Sequence, residues 1–270
     1  MRKSYAVLAI SILAVAAFSG PAVAQDQIFG VSGVTNCIGI QEAANTAGLA
    51  LTQGETYTVT VDGDAFINPL PGGEFQGVFC FYHDNSDPDH PVVRFLEKGD
   101  SFEFVASASN FYAFLVDKAN KDIPDNGGSM TVTLSAPGGA RETVVVDGVF
   151  NCIGLEDFNA LKPILLPGNH YVVSVSGDSY ANGTPSGGYD GILMFTRDAS
   201  IGAITPVQLA LDYGEHFIIN EMHATGWVYL FYVDESYTMM GNNGGKATVL
   251  FDDWTDVEEE TWGAIKSIFQ

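Results

Sequence analysis

The feature that most limits the fold is an internal repeat. "VSGVTNCIGI" (31–40) matches "VDGVFNCIGL" (146–155), and "GETYTVTVDGD" (54–64) matches "GNHYVVSVSGD" (168–178). "GGEFQGVFCFYHD" (72–84) matches "GGYDGILMFTRD" (187–198), "EKGDSFEF" (97–104) matches "DYGEHFII" (212–219), and "YAFLVD" (112–117) matches "YLFYVD" (229–234). The offset stays at 114 to 117 residues, so insertions are few and fall between the matched segments. Two copies at so long a period mean tandem domains rather than a solenoid of short units. Pro and Gly interrupt the pattern in "SAPGGARE" (135–142), which gives expected domains over 25–137 and 138–253.

Within each copy the apolar signal has period two. Tyr57, Val59 and Val61 alternate with Thr56, Thr58 and Thr60, and Tyr171, Val173 and Val175 repeat the scheme. Short runs rich in Val, Phe, Tyr and Thr recur between Gly, Asn, Asp and Pro clusters, as antiparallel strands do. The expected fold class is all-β, with two tandem antiparallel β-sandwich domains of the jelly-roll kind. Two short helical stretches are expected at matching places, "QEAANTAG" (41–48) and "EDFNALK" (156–162). The tail, 254–270, departs from the repeat. Thr255 and Glu258 stand at capping-box spacing and Val257, Trp262, Ile265 and Phe269 share a stripe, so a short C-terminal helix is expected there. It either packs on the second domain or docks on another chain.

Residues 1–24 read as a signal peptide. Arg2 and Lys3 precede the apolar run "AVLAISILAVAAF", and "AVA" (22–24) supplies a small-residue cleavage site. The run is too short to be a convincing membrane span. The expected location is therefore outside the cytoplasm, extracellular or periplasmic. Loss of Arg2 and Lys3 deepens a net charge that is already −22. So acidic a surface disfavours nucleic acid and anionic membranes as partners, and favours divalent cations or simple solubility in a salty medium.

Three cysteines remain in a compartment that permits disulfides. Cys37 and Cys152 match each other across the repeat, whereas Met194 stands where Cys80 would have its counterpart. A Cys37–Cys80 bridge is one reading; three small buried apolar side chains are the other. The "HDNSDPDH" stretch (83–90) offers metal ligands, yet the second copy reads "RDASIGAI" there, so an exposed acidic loop is the simpler reading. No nucleophile elbow, zinc-protease motif or phosphate-binding glycine loop is present, and a non-enzymatic protein is expected.

One loop recurs with oxygen-rich chemistry. "VDKANKDIPDNGGSMTVTL" (116–134) and "VDESYTMMGNNGGKATVLF" (233–251) each carry a strand-end aspartate, a polar loop, and an Asn followed by two glycines. Calcium takes roughly six to eight oxygen ligands from carboxylates, amides and backbone carbonyls. The first copy supplies Asp117, Asp122, Asp125 and Asn126; the second supplies Asp234, Thr238, Asn242 and Asn243. Zinc is disfavoured because neither loop holds His or Cys. Turns between strands use the same residue types, so shared descent of a plain turn is the competing reading.

The order of "GLALTQGETYTVTVDGDAF", a middle strand pair and a final strand–Asp–loop–Asn–Gly–strand resembles the galactophilic bacterial lectins of the PA-I type. That resemblance implies a galactose-binding-like jelly roll in which calcium is held by a strand-end Asp, a loop Thr and two consecutive Asn, and itself coordinates sugar hydroxyls. Asp234, Thr238, Asn242 and Asn243 match that set; the first copy keeps Asp117 and Asn126, with Asp125 replacing the first Asn and no Thr. A weaker resemblance, carried by "YDGILMF" (189–195), is to secreted pre-peptidase C-terminal domains, which are auxiliary modules. The first functional expectation is thus a secreted, calcium-binding, carbohydrate-binding protein with two similar sites. The second is a structural subunit of an extracellular filament, sheath or matrix, self-assembling through calcium and strand addition by "QDQIFGVSGV" (25–34).

Overall fold

The structure, a computed structural model, describes residues 27–43, 47–66, 75, 77–86, 91–139, 141–158, 160–163, 165, 170–177, 179–180, 192–197, 206–211, 214–219, 228–236 and 241–253. The expected leader (1–24) and C-terminal helix (254–270) lie outside them.

The chain is all-β. In order, the strands are β1 (Gln27–Ser32), β2 (Cys37–Gly39), β3 (Ala47–Ala50), β4 (Thr56–Phe66), β5 (Gly77–His83), β6 (Pro91–Glu97), β7 (Ser101–Val105), β8 (Asn110–Asp117) and β9 (Gly127–Ser135). They continue with β10 (Arg141–Asp147), β11 (Cys152–Gly154), β12 (Tyr171–Ser176), β13 (Ser179–Tyr180), β14 (Ile192–Arg197), β15 (Pro206–Leu211), β16 (His216–Ile219), β17 (Val228–Asp234) and β18 (Gly244–Asp253). Both expected helical stretches shrink to a single turn: α1 spans Ile40–Ala43, and Leu155–Asp157 is a 3₁₀ turn. Segments this short cannot offset the cost of helix nucleation, and Ala47–Ala50 pairs with β8 instead.

Four sheets result, in the orders β10-β9-β4-β7, β11-β8-β5-β6 (with β3 also on β8), β15-β14-β17-β2, and β1-β18-β12-β16 (with β13 on β18). Pairing is antiparallel except for two short parallel contacts, β11 with β8 and β2 with β17. The period-two pattern of Tyr57, Val59 and Val61 and of Tyr171, Val173 and Val175 belongs to strands buried on one face only. The inner strands read differently: "GVFCFYH" and "VYLFYVD" are apolar nearly throughout because both of their faces are covered.

Alternation along those inner strands decides which core each side chain enters. Ile192, Met194, Val228, Leu230 and Tyr232 join Tyr171, Val173, Val249 and Phe251 in one core. Their neighbours Leu193, Phe195, Tyr229, Phe231 and Val233 face the other way and merge with the core of the first repeat. Phe79 on β5 meets Phe231 on β17 edge-on, ring centroids 6.1 Å apart, and also stacks on Phe114 at 5.6 Å. Each such ring, fully buried, stabilises the fold by about 1.5–3 kcal/mol through area removed from water. The two repeats therefore share an aromatic seam.

The opening segment of each repeat is held by the other repeat. β1 lies antiparallel on β18 from Gln27↔Phe251 to Ser32↔Lys246, and β2 runs parallel to the end of β17, Asp234 opposite Gly39. Reciprocally, β10 lies on β9 from Arg141↔Ser135 to Asp147↔Ser129, and β11 runs beside β8, Asp117 opposite Gly154. The turns between these strands are built alike. Ser32 Oγ accepts from the Val34 and Thr35 N–H groups, and Asp147 Oδ1 from those of Val149 and Phe150. Asn36 Oδ1 accepts from Ser32 N, and Asn151 Oδ1 from Asp147 N. This is the local reason for the shared "GVxN" sequence.

The cysteine bridge is not formed. Cys37 packs in the second core and Cys80 in the first, and the described residues hold no disulfide. All three thiols are buried, which is the small-apolar reading of these residues. Burial raises the Cys80 and Cys152 thiols well above their ordinary pKa, so neither is a reactive thiolate.

Candidate functional site

The strand-end aspartates sit where the exchanged segments dock. Asp117 is only 3% exposed and Asp234 5%, and the asparagine of each glycine turn, Asn126 or Asn243, is buried as well. Asn126 Nδ2 donates to the Gly148 carbonyl at 3.0 Å, and Asn243 Nδ2 to the Gly33 carbonyl at 3.0 Å. Both carbonyls belong to the docked segments. The asparagine thus ties the loop to the turn between the two strands of the incoming segment. Glycine is required at Gly148 and Gly154, where a Cβ would stand 2.6 Å from the Gly127 carbonyl oxygen and 2.1 Å from the Asn120 backbone nitrogen.

The two couples differ in how well they close. Asn243 Nδ2 also donates to Asp234 Oδ2 at 3.0 Å, while Asp234 Oδ1 accepts from the Glu235 N–H at 2.6 Å. In the first couple Asp117 Oδ1 accepts from the Lys118 N–H at 2.5 Å, but Asp117 Oδ2 and Asn126 Oδ1 are buried with no donor. The Asn126 amide instead lies 3.7 Å from the Cys152 sulfur. Burial pushes Asp117 up to about 6, with the charges of Asp122 and Asp125 adding to the shift and the Lys118 N–H and Asn126 opposing it. Asp234 is raised for the same leading reason, and Asn243, the Glu235 N–H and His83 counter it.

The adjacent residues of the motif are placed differently. Asp125 ends a 3₁₀ turn, Ile123–Asp125, and is exposed, as is Asn242. Each adjacent pair of the motif is therefore split, one residue buried and the next turned to solvent. Asp122 is half-buried and close enough to Asp117 to raise its pKa. Thr238 and residues 87–90 of the acidic "HDNSDPDH" loop lie outside the described residues. Among the described residues no group of three His, Cys, Asp or Glu side chains converges in the manner of a metal site.

The rims of the seam carry a second polar pair. Glu235 Oε1 accepts from Asn110 Nδ2 at 2.6 Å, Gln41 Nε2 at 3.1 Å and Tyr112 Oη at 3.4 Å. At the repeat-related place Tyr229 Oη donates to Glu156 at 2.7 Å, and Lys162 pairs with the same carboxylate at 2.5 Å. Those two donors lower Glu156 below the usual carboxylate range, while burial and Glu156 raise Tyr229. Sequence reasoning found the aspartates and asparagines but not Gly33, Gly148, Cys152 or these rims. The repeated "NCIG" segment marks the two docking strands as alike, but nothing in its spacing says which aspartate each one meets.

The chain matches no protein-family model, and no curated protein is similar to it in sequence. Among the described residues no helix is long and apolar enough to cross a membrane.

Proposed function

We propose that this is an exported, non-catalytic structural subunit of an extracellular assembly, two tandem jelly-roll-like domains whose opening segment is the connecting element. The observation that carries the reading is the placement of 27–39: it completes two sheets of the second repeat while its own repeat is completed by 141–154. A segment joined to its own repeat by the chain that follows Gly39 can occupy the same groove on a neighbouring copy, and a head-to-tail exchange of this kind builds an open filament wherever the rotation between copies does not close a ring. A net charge of −22, which calcium between subunits would neutralise, fits the same role. Light scattering on concentrated protein with calcium tests it: scattering mass grows with concentration, and a synthetic peptide of residues 27–39 added in excess halts the growth. A monodisperse species indifferent to the peptide contradicts it.

A second reading, calcium-dependent carbohydrate binding, has one observation in its favour. Asp117 Oδ2 and Asn126 Oδ1 are two buried acceptors without donors, which is the chemistry a hard cation satisfies. Asp125 and Asp122 would complete the donor set only if the 3₁₀ turn moved inward. Isothermal titration with calcium, on the native chain and on Asp117→Asn, separates the readings: saturable binding lost in the variant supports this one, and no binding removes it.

A further inference from the structure

We infer that β10 is a self-association edge: two copies of this chain join their outer sheets by pairing β10 with β10 antiparallel about a two-fold axis at Val144. The inference is independent of the exchange of 27–39, because it uses a different strand on the other repeat.

Both repeats end an outer sheet with the first strand of an opening segment, β1 on one side and β10 on the other. The backbone direction on β10 is fixed by its bonds. Gly148 N donates to Gly128 O, which continues the register and places the even-numbered residues of β10 in bonding contact with β9. The N–H and C=O groups of Arg141, Thr143 and Val145 then point away from β9. Those of Asp147 point the same way and are taken up by Asn151, whose N–H donates to Asp147 O and whose Oδ1 accepts from Asp147 N. Among the described residues no strand pairs with that outer edge.

The two edges are not equally guarded. On β1, Gly30 lies beneath the side chain of Lys246, so close that a Cβ at Gly30 would fall 1.6 Å from Lys246 Cε. A lysine laid across an edge strand is a common device against pairing. At the repeat-related positions β10 has Val145, 54% exposed, and β9 has Ser129 in place of the lysine. The run Thr143–Val144–Val145–Val146 is rich in β-branched residues and carries no proline or lysine.

Charge selects the occupant. In a chain with 33 acidic and 11 basic residues, most surfaces repel a second copy. The strand "RETVVVD" is self-complementary at its two ends, with Arg141 at its start and Asp147 at its end, and Glu142 is its one other charge. Antiparallel pairing centred on Val144 sets Arg141 opposite Asp147 of the second copy at both ends. Thr143 faces Val145 twice, and all four of those residues have outward-pointing backbone groups. The product is one sheet running β7-β4-β9-β10 and back through the second copy.

The test is Val144→Cys in the full-length chain under mild oxidation. Non-bonded antiparallel partners stand about 4.5 Å apart at Cα, within disulfide reach. The expected result is a covalent dimer whose bridge maps to position 144 in both chains, lost when Val145→Lys is added and not given by Phe150→Cys, an exposed site off the edge. Should Val144→Cys misfold, Thr143→Pro serves, since its N–H makes no bond to β9; sedimentation then shows at least a tenfold loss of dimer with an unchanged melting curve. No bridge at 144, a bridge insensitive to Val145→Lys, or a dimer fraction untouched by Thr143→Pro overturns the inference.

Discussion

The two aspartate–asparagine couples occupy the same place in their repeats and do different amounts of bonding. Asn243 reaches both Asp234 and the docked segment, whereas Asn126 reaches the docked segment and leaves Asp117 Oδ2 bare. What the repeats share is the grip on the opening segment; what they do not share is the electrostatic setting of the aspartate. The common part is then the structural device, and the variable part is where a cation or a proton would be taken up.

The largest expected effect concerns whether the repeats are separable at all. Phe231→Ala opens the seam that Phe231 shares with Phe79 and should cost about 3–5 kcal/mol, lowering the unfolding midpoint of the whole molecule in calorimetry. Phe251→Ala, confined to the second core, should leave signals from the first repeat nearer their native midpoint. Equal behaviour of the two variants would mean that the seam is not special.

The next effect separates the couples by pH. Because the folded-state pKa of Asp117 lies near 6, above the ordinary 3.8, the folded protein keeps a proton that the unfolded chain releases. Stability from this group is therefore present below about pH 4 and is lost as pH rises through about 6, by on the order of 2–3 kcal/mol. Asp117→Asn should flatten that part of the stability–pH curve in urea titrations. Asp234→Asn should flatten it less, since Asn243 already satisfies Asp234 Oδ2.

Smaller still are the asparagines. Asn243→Ala should cost about 1–3 kcal/mol by leaving the Gly33 carbonyl and Asp234 Oδ2 unsatisfied, and Asn126→Ala should fall at the low end of that range. Smallest is the rim. Tyr229→Phe should cost about 0.5–1.5 kcal/mol, and Tyr112→Phe less, because the first hydroxyl lies 2.7 Å from its carboxylate and the second 3.4 Å.

The strand content was legible because alternation at Tyr57–Val61 and Tyr171–Val175 reports burial on one face directly. The continuous apolar runs at 78–82 and 228–233 carried the rest: both-face burial, hence a further sheet behind each inner sheet, is written in the loss of alternation. The site was legible only by residue type. A sequence places Asp125 beside Asn126 and Asn242 beside Asn243, and neighbours on a strand-like turn point to opposite sides, so adjacency worked against a shared ligand set. The exchange of opening segments was hidden because a repeat shows that two segments are alike, not which copy each one packs against.

The central claim is that residues 27–39 can be given by one copy to the next. Ile28 and Leu250 are register partners on β1 and β18, so cysteines there lie within disulfide reach only when that pairing forms. Copies carrying Ile28→Cys alone are mixed with copies carrying Leu250→Cys alone, incubated under assembly conditions, oxidised, and the cross-linked peptides identified by mass spectrometry. The account predicts a 28–250 bridge between chains, whose yield rises with protein concentration and falls when the 27–39 peptide competes. Bridging confined to a single chain that carries both cysteines, with none between mixed copies, would contradict it.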